Sequence, residues 1–426
     1  MARSTRTAVS ACPVPAPDFM QIIYLGLMRL VALRRWAAAT VVAGLLSASG
    51  QAAAQEEAMR FFRIGTGSTG GTYFPIGGII ANAVSNPPGS RPCEDGGACG
   101  IPNLVAVAVT TRGSVDNLNL LNDGQVDSGL SQADIAVLAE AGRGAEIGAP
   151  SMPDLRAIAS LYPESLHVVA RVGAGITDLK DLVGKRVSLD RTGSGTLVDA
   201  RLVLAAAGIP LDRIKVENLD PEVAVDHLRD GSLDAMFFMS GYPAVSIGAA
   251  IRDGVANLVP LAPELRGALV EKHPFFVEDV IPRDAYDLAA PVGTVSVRAL
   301  WVVREGLDAE LVYGLTRALW STPTRGLLDA GHAKGRLIRP ETATLGVGIP
   351  LHPGAERFYA EWRAARDKAA AEGKPADADA APDAPSGSPP EAAPLDDLGS
   401  EPAATPEAPA TPDAPMPEPK PGTPAS

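Results

Sequence analysis

Two stretches of this chain begin in the same way. Phe61-Phe62-Arg63-Ile64-Gly65 runs into Thr66-Gly67-Ser68-Thr69-Gly70-Gly71-Thr72, and Arg186-Val187-Ser188-Leu189-Asp190 runs into Arg191-Thr192-Gly193-Ser194-Gly195-Thr196. Each reads as a short apolar strand, a loop of Gly, Ser and Thr, and a helix start. Glycine lets backbone N–H groups come close to a ligand, and a helix start supplies unpaired donors and partial positive charge. Serine and threonine add hydroxyls that donate or accept. Two such loops on two α/β units predict one anionic ligand held between them; helix capping alone is the competing reading.

The rest of the central region fits that plan. Apolar runs at 61–65, 104–109, 128–130, 166–171, 186–189, 214–217, 233–238, 258–261 and 297–303 read as strands. Helical patterns at 75–84, 114–121, 132–141, 196–207, 221–230, 243–253, 307–320 and 352–367 lie between and beyond them. Strand–helix alternation predicts parallel sheets covered on both faces. The chain has 426 residues, enough for two ordinary cores.

The ends differ from the middle. Arg34 and Arg35 precede an apolar run, 36–46, and small residues ending Ala52-Ala53-Ala54. This is the secretory pattern, with cleavage expected near Ala54. The run is shorter than the ~20 apolar residues a membrane span needs. Residues 1–27 are unusual for such a signal, and a start at Met28 gives a tidier one. From residue 373 the sequence is Pro, Ala and acidic residues with almost no large apolar side chain. It is expected to be a disordered, extended tail. Cys93 and Cys99 sit in a Gly-rich loop, and export to an oxidising compartment predicts a disulfide between them.

Charge and motifs exclude several functions. Lys and Arg number 37 against 50 Asp and Glu, a net charge of −13, which argues against a sequence-independent nucleic-acid partner. Gly65-x-Gly67-x-x-Gly70 matches the dinucleotide fingerprint in letters. However, the region about 20 residues on ends in Asn-Pro-Pro-Gly and supplies no acid for a ribose. No Gly-Lys-Ser/Thr follows to make a P-loop, and no Gly-x-Ser-x-Gly elbow has the right context. The five histidines form no spaced metal pair, and His167, within an apolar strand, reads as a core histidine. No cofactor or metal is expected.

Taken in order, the motifs resemble the TAXI proteins, solute receptors of one class of tripartite ATP-independent periplasmic (TRAP) transporters. The resemblance is carried by Ile64-Gly65-Thr66-Gly67-Ser68-Thr69-Gly70-Gly71-Thr72-Tyr73-Phe74-Pro75, Gly113-Ser114-Val115-Asp116-Asn117, Ser131-Gln132-Ala133-Asp134 and Leu161-Tyr162-Pro163-Glu164. It continues with Gly193-Ser194-Gly195-Thr196, Asp234-Ala235-Met236-Phe237-Phe238 and Pro350-Leu351-His352-Pro353-Gly354-Ala355. It covers about residues 60–365. Arg112, before Gly113, and Arg191-Thr192, before the second loop, depart from the family pattern.

The resemblance implies a type II periplasmic-binding-protein fold, two α/β lobes with a hinge and a central ligand cleft. Lobe one is expected at 55–166 plus 297–372 and lobe two at 167–296, with crossings at 166–171 and 296–301. The implied function is a periplasmic receptor, not an enzyme, that captures a small anionic solute and delivers it to a TRAP membrane permease. The solute class is glutamate, glutamine or a C4–C5 dicarboxylate. A binding module feeding a sensor and a nicotinamide-dependent enzyme are the alternatives. The expected ligand contacts are Ser68, Thr69, Thr72, Tyr73, Ser114, Asn117, Gln132, Ser194, Gly195 and Thr196. Tyr162 is expected to wall the pocket and Arg112 to clamp a carboxylate, while Asp134 caps or braces its loop.

Overall fold

The computed structural model describes residues 59–373, apart from residues 96 and 98. The export segment, the start at Met28, the cleavage near Ala54 and the acidic tail lie outside the described residues. Among the described residues no helix is long and apolar enough to cross a membrane.

β1 (Arg60–Gly65) leads into α1 (Tyr73–Val84), the first of the two mirrored units. The short pair β2 (Ser85–Asn86) and β3 (Ile101–Pro102) brackets a loop that the expected Cys93–Cys99 disulfide closes. β4 (Leu104–Val109), α2 (Ser114–Asn122), β5 (Ser128–Gln132) and α3 (Ala133–Glu140) follow. The chain then enters β6 (Leu155–Arg171), far longer than the run predicted there. β7 (Arg186–Ser188) and α4 (Gly195–Ala206) form the second mirrored unit. Next come β8 (Lys215–Glu217), α5 (Pro221–Asp230), β9 (Ala235–Ser240), α6 (Val245–Arg252), β10 (Ala256–Leu258), α7 (Pro263–Lys272) and β11 (Val277–Ile281). A second long strand, β12 (Val292–Arg304), precedes α8 (Ala309–Leu319), α9 (Thr322–Gly331) and α10 (Pro353–Ala371). Local chemistry sets many of these ends. In α5, Pro221 opens the helix where its missing N–H is an orphan anyway, and Gly231 at φ +81° ends it.

The sheet runs β4-β1-β5-β12-β6-β9-β7-β8. Its two ends are built alike. β4, β1 and β5 are mutually parallel and are followed by antiparallel β12. From the other edge, β8, β7 and β9 are parallel and are followed by antiparallel β6. This is the two-fold-repeated α/β plan of a type II periplasmic-binding-protein fold. β6 and β12 pair with each other from Leu155↔Arg304 to Ser165↔Ser296 and thread both ends.

The buried side chains divide at those two strands. One pair of clusters gathers residues up to Tyr162 and from Ala299 onward, including Phe62, Ile64, Ile80, Trp301, Phe358 and Trp362 on one face and Leu118, Ile135 and Val302 on the other. A second pair gathers residues between Leu166 and Val297, including Val187, Leu204 and Phe237 on one face and Leu228, Phe238 and Ile247 on the other. Each half therefore buries both faces of its sheet under helices, which is why its central strands carry continuous apolar runs.

Three differences from the sequence reading have physical causes. Pro163, Arg156 and Glu164 interrupt the apolar run of β6, so only its last third looks like a strand. β11 buries only Ile281 fully, leaves three of its five positions exposed, and lacks an apolar signature. α7 buries only Leu269 and shows little amphipathic pattern.

Trp301 is wholly buried in the first half, and its Nε1–H donates to Ser128 Oγ at 3.0 Å. Trp301→Ala is expected to cost about 3–5 kcal/mol, the range for large aromatic deletions in a core. A urea denaturation midpoint that drops accordingly checks this; an unchanged midpoint contradicts the packing described.

Candidate functional site

The carboxyl ends of β1 and β4 in the first half face those of β7 and β9 in the second. Ligands of open α/β sheets sit outside such strand ends. One cavity lies there. The first half lines it with Gly67, Ser68, Gly71, Thr72 and Tyr73, then Arg112, Gly113, Ser114, Gln132 and Glu164. The second half lines it with Asp190, Arg191, Ser194, Gly195, Thr196, Pro221, Phe238, Met239 and Ser240. The starts of α1, α2 and α4 all border it, so three helix N-termini turn their unpaired donors toward one space.

The halves touch around the cavity. Gly70 N donates to Glu222 Oε1 at 2.6 Å, and Asp116 N donates to Gly193 O at 2.8 Å. Thr72 Oγ1 donates to Gly241 O at 3.0 Å and lies 3.1 Å from Ser240 Oγ. The Arg191 guanidinium donates to Thr111 O at 2.5 Å and pairs with Asp220. Gln132 Nε2 donates to Asp199 Oδ2 at 2.5 Å, and Lys334 Nζ stands 3.3 Å over the Tyr242 ring. At Gly195 a Cβ would overlap Gln132 Oε1, so this position needs glycine for the halves to meet. The cavity volume is about 50 Å³. That is room for only a few water-sized groups.

The electrostatics are unusual for a site bordered by cationic groups. Tyr73 O–H donates to Glu164 Oε2 at 2.6 Å, and both side chains are buried. Burial pushes Glu164 up to about 8; the Asp134 charge adds to this, while the Tyr73 bond and Lys334 oppose it. Burial likewise pushes Asp190 up to about 7, against the Arg191 amide and the Thr196 and Ser194 hydroxyls. Asp190 has φ +72°, a strained backbone for a non-glycine residue, held beside the cavity. Burial lowers Lys334 to about 8.

Of the residues expected to contact a ligand, Ser68, Thr72, Tyr73, Arg112, Ser114, Gln132, Ser194, Gly195 and Thr196 line the cavity. Several also have structural partners. Ser194 Oγ caps α4 by accepting from Leu197 N at 3.1 Å, and Thr196 Oγ1 accepts from Met239 N at 3.1 Å. Arg112 is exposed at the mouth. Three residues stand elsewhere. Asn117 is fully buried; its Nδ2 donates to Thr66 O and Leu130 O at 2.7 Å each, and its Oδ1 accepts from Thr111 Oγ1 at 2.6 Å. Its side chain thus splints the first glycine loop from behind. Thr69 is exposed at the turn, outside the cavity lining. Tyr162 is sealed in the first-half core.

The residues missed include Glu164, Asp190, Pro221, Phe238, Met239 and Ser240. Asp190 and Phe238–Met239 sit at or just beyond strand ends, a position that could have flagged them. Glu164 lies inside a strand interrupted by proline and gave no such signal. His167 meets its expectation: Nδ1 lies 2.9 Å from Ser165 O and Nε2 2.8 Å from the Tyr286 hydroxyl.

Residues 64–362 match the NMT1-like family, and the chain belongs to that family. Among solved structures it is similar to MatC from Rhodopseudomonas palustris with bound malate, at 16% identity over 71% of this chain and 98% of that one, TM-score 0.43. It is also similar to the alkanesulfonate-binding protein SsuA from Xanthomonas axonopodis pv. citri bound to MOPS, at 18% identity over 70% and 83%, TM-score 0.38. The periplasmic aliphatic sulphonate binding protein SsuA from Escherichia coli gives 15% identity over 71% and 82%, TM-score 0.37.

A carboxyl whose pKa is raised by folding holds its proton more tightly in the folded state, so stability falls as pH rises from the unfolded value toward the folded one. For Glu164 that window runs from about 4.5 to about 8. Urea midpoints are expected to fall from pH 5 to pH 8, and Glu164→Gln, whose amide oxygen still accepts from Tyr73, is expected to flatten part of that slope. Parallel slopes for the two proteins contradict the assignment.

Proposed function

We propose that this chain is an extracytoplasmic solute-binding receptor of the TAXI type. Two lobes, 55–166 with 297–372 and 167–296, close about the crossing strands on one small carboxylate, and the closed form is presented to a TRAP-type permease in the membrane. Export to the periplasm belongs to the same reading.

The observation that carries it is the convergence of helix starts and Ser/Thr loops from both halves on one cavity. A solute touching both halves stabilises closure, because only there are both sets of bonds made. Each helix start favours an anion by roughly 0.3–1 kcal/mol, and each charge-assisted hydrogen bond contributes about 1.5–3 kcal/mol. Several together reach the micromolar range, about −8 kcal/mol. Within the carboxylate class, Glu164 and Asp190 favour a solute that also brings donors. That points to glutamate or glutamine ahead of the dicarboxylates.

The test is titration calorimetry of the mature chain with glutamate, glutamine and C4–C5 dicarboxylates, with neutral and cationic solutes as controls. Binding within the carboxylate set is expected, with glutamate or glutamine tightest. Arg112→Ala is expected to weaken it by roughly tenfold to a hundredfold, the worth of one charge-assisted bond. Binding of a neutral or cationic solute with no response to the carboxylates overturns the ligand class. Co-purification with a membrane permease subunit, against capture by a sensor, decides the partner.

A further inference from the structure

Behind the cavity the two halves meet through acids. Asp134 is in the first turn of α3, in the first half, and Asp199 is in α4, in the second; both are fully buried. Asp199 Oδ2 takes the Gln132 amide hydrogen at 2.5 Å. Asp199 Oδ1 and both Asp134 oxygens are buried with no hydrogen-bond partner among the described residues. The two carboxyl groups act on each other. Two carboxylates offer only acceptors, so a bond between them forms only when one of them holds a proton.

The surroundings offer no substitute for the proton. The charged groups acting on the pair are the two acids themselves and Glu164 on β6, which is also acidic. The Asp134 and Ile135 amides at the start of α3 favour ionisation of Asp134, against its burial. The pair is also wired to the cavity wall. Gln132 Oε1 accepts from Ser114 Oγ at 3.2 Å, Ser114 Oγ lies 3.4 Å from the Tyr73 hydroxyl, and Tyr73 donates to Glu164.

We propose that Asp134 and Asp199 form a proton-operated latch across the cleft: a shared proton holds α3 against α4 in the closed form, and its loss drives them apart. The latch rests on the two-lobe receptor reading. Burial pushes Asp134 up to about 6 and Asp199 well above the ordinary carboxyl range. In the open cleft water reaches both acids and returns them toward about 4. Opening therefore releases protons, so acid favours closure and rising pH favours opening. Each retained proton changes the closed-to-open ratio by up to about tenfold per pH unit across that window.

The test places spin labels at two exposed positions, one per half, through Asp123→Cys and Asp212→Cys in the mature full-length chain. Pulsed electron resonance then reads their separation from pH 5 to pH 8, with and without millimolar glutamate. The closed-to-open ratio is expected to fall at least tenfold over that range. Asp199→Asn keeps both cross-cleft bonds without a titrating proton, its amide donating to Asp134 and its carbonyl oxygen accepting from Gln132. It is expected to stay closed at pH 8, and Asp134→Asn makes the same exchange from the other side. If both variants follow the wild-type pH course, or if only Glu164→Gln flattens it, the latch is overturned. A separation that answers glutamate but not pH removes the latch and leaves the receptor reading standing. One that answers neither removes both.

Discussion

The antiparallel pairing of β6 with β12 is the constraint on which the rest of the molecule hangs. Those strands are long enough to serve both halves, and they exchange partners along their length. β6 pairs with β12 up to Ser165 and with β9 from Ser165 onward, while β12 pairs with β11 up to Ser296 and with β5 from Ala299. Two continuous strands allow each half its own core yet fix which strand ends face each other. The mouths of β1 and β4 meet those of β7 and β9 because the sheet is repeated about this pair. Where the chain passes between cores, the apolar inventory changes from Tyr162 to Leu166 and from Val297 to Ala299. The intervening positions are polar or proline: Pro163, Glu164, Ser165 and Arg298. A segment with few apolar partners is where a sheet can bend at least cost in buried surface.

Much of this was legible in the chain itself, for identifiable reasons. β9 is buried at every position, so its apolar run announces it, and the runs of β1 and β4 are as continuous even though Phe61 and Val107 stay exposed. The two glycine loops are visible because strand, loop and helix start follow one another within a dozen residues, and the structure turns both toward one cavity. The features that escaped depend on distant partners. The resemblance set Asn117 beside Ser114 among the expected ligand contacts. Nothing local says that the carbonyls of Thr66 and Leu130 will claim its amide. Tyr162 looked like an aromatic wall, but β6 carries it into the first-half core. Glu164 is an ordinary acidic residue until the fold buries it against Tyr73.

The buried acids look at first like an obstacle to the carboxylate ligand proposed above. Glu164 and Asp190 border the cavity, and Asp134 and Asp199 lie just behind it. Four negative charges there would outweigh the helix starts and Arg112. Burial removes the conflict, because a carboxyl group denied water keeps its proton instead of its charge. Glu164, held up to about 8, stands at neutral pH as an acid able to donate from the oxygen that Tyr73 does not occupy. A protonated carboxyl beside a ligand carboxylate is a donor, and it adds no repulsion. The same low dielectric that neutralises the acids strengthens the hydrogen bonds they make, and it makes any lost partner costly. On the proposed reading the site is anion-compatible only while it is shut, since opening would rehydrate the acids and restore their charge. Under the proposed receptor reading, closure and capture of an anion reinforce one another, and the negative charge regained on opening helps to expel it.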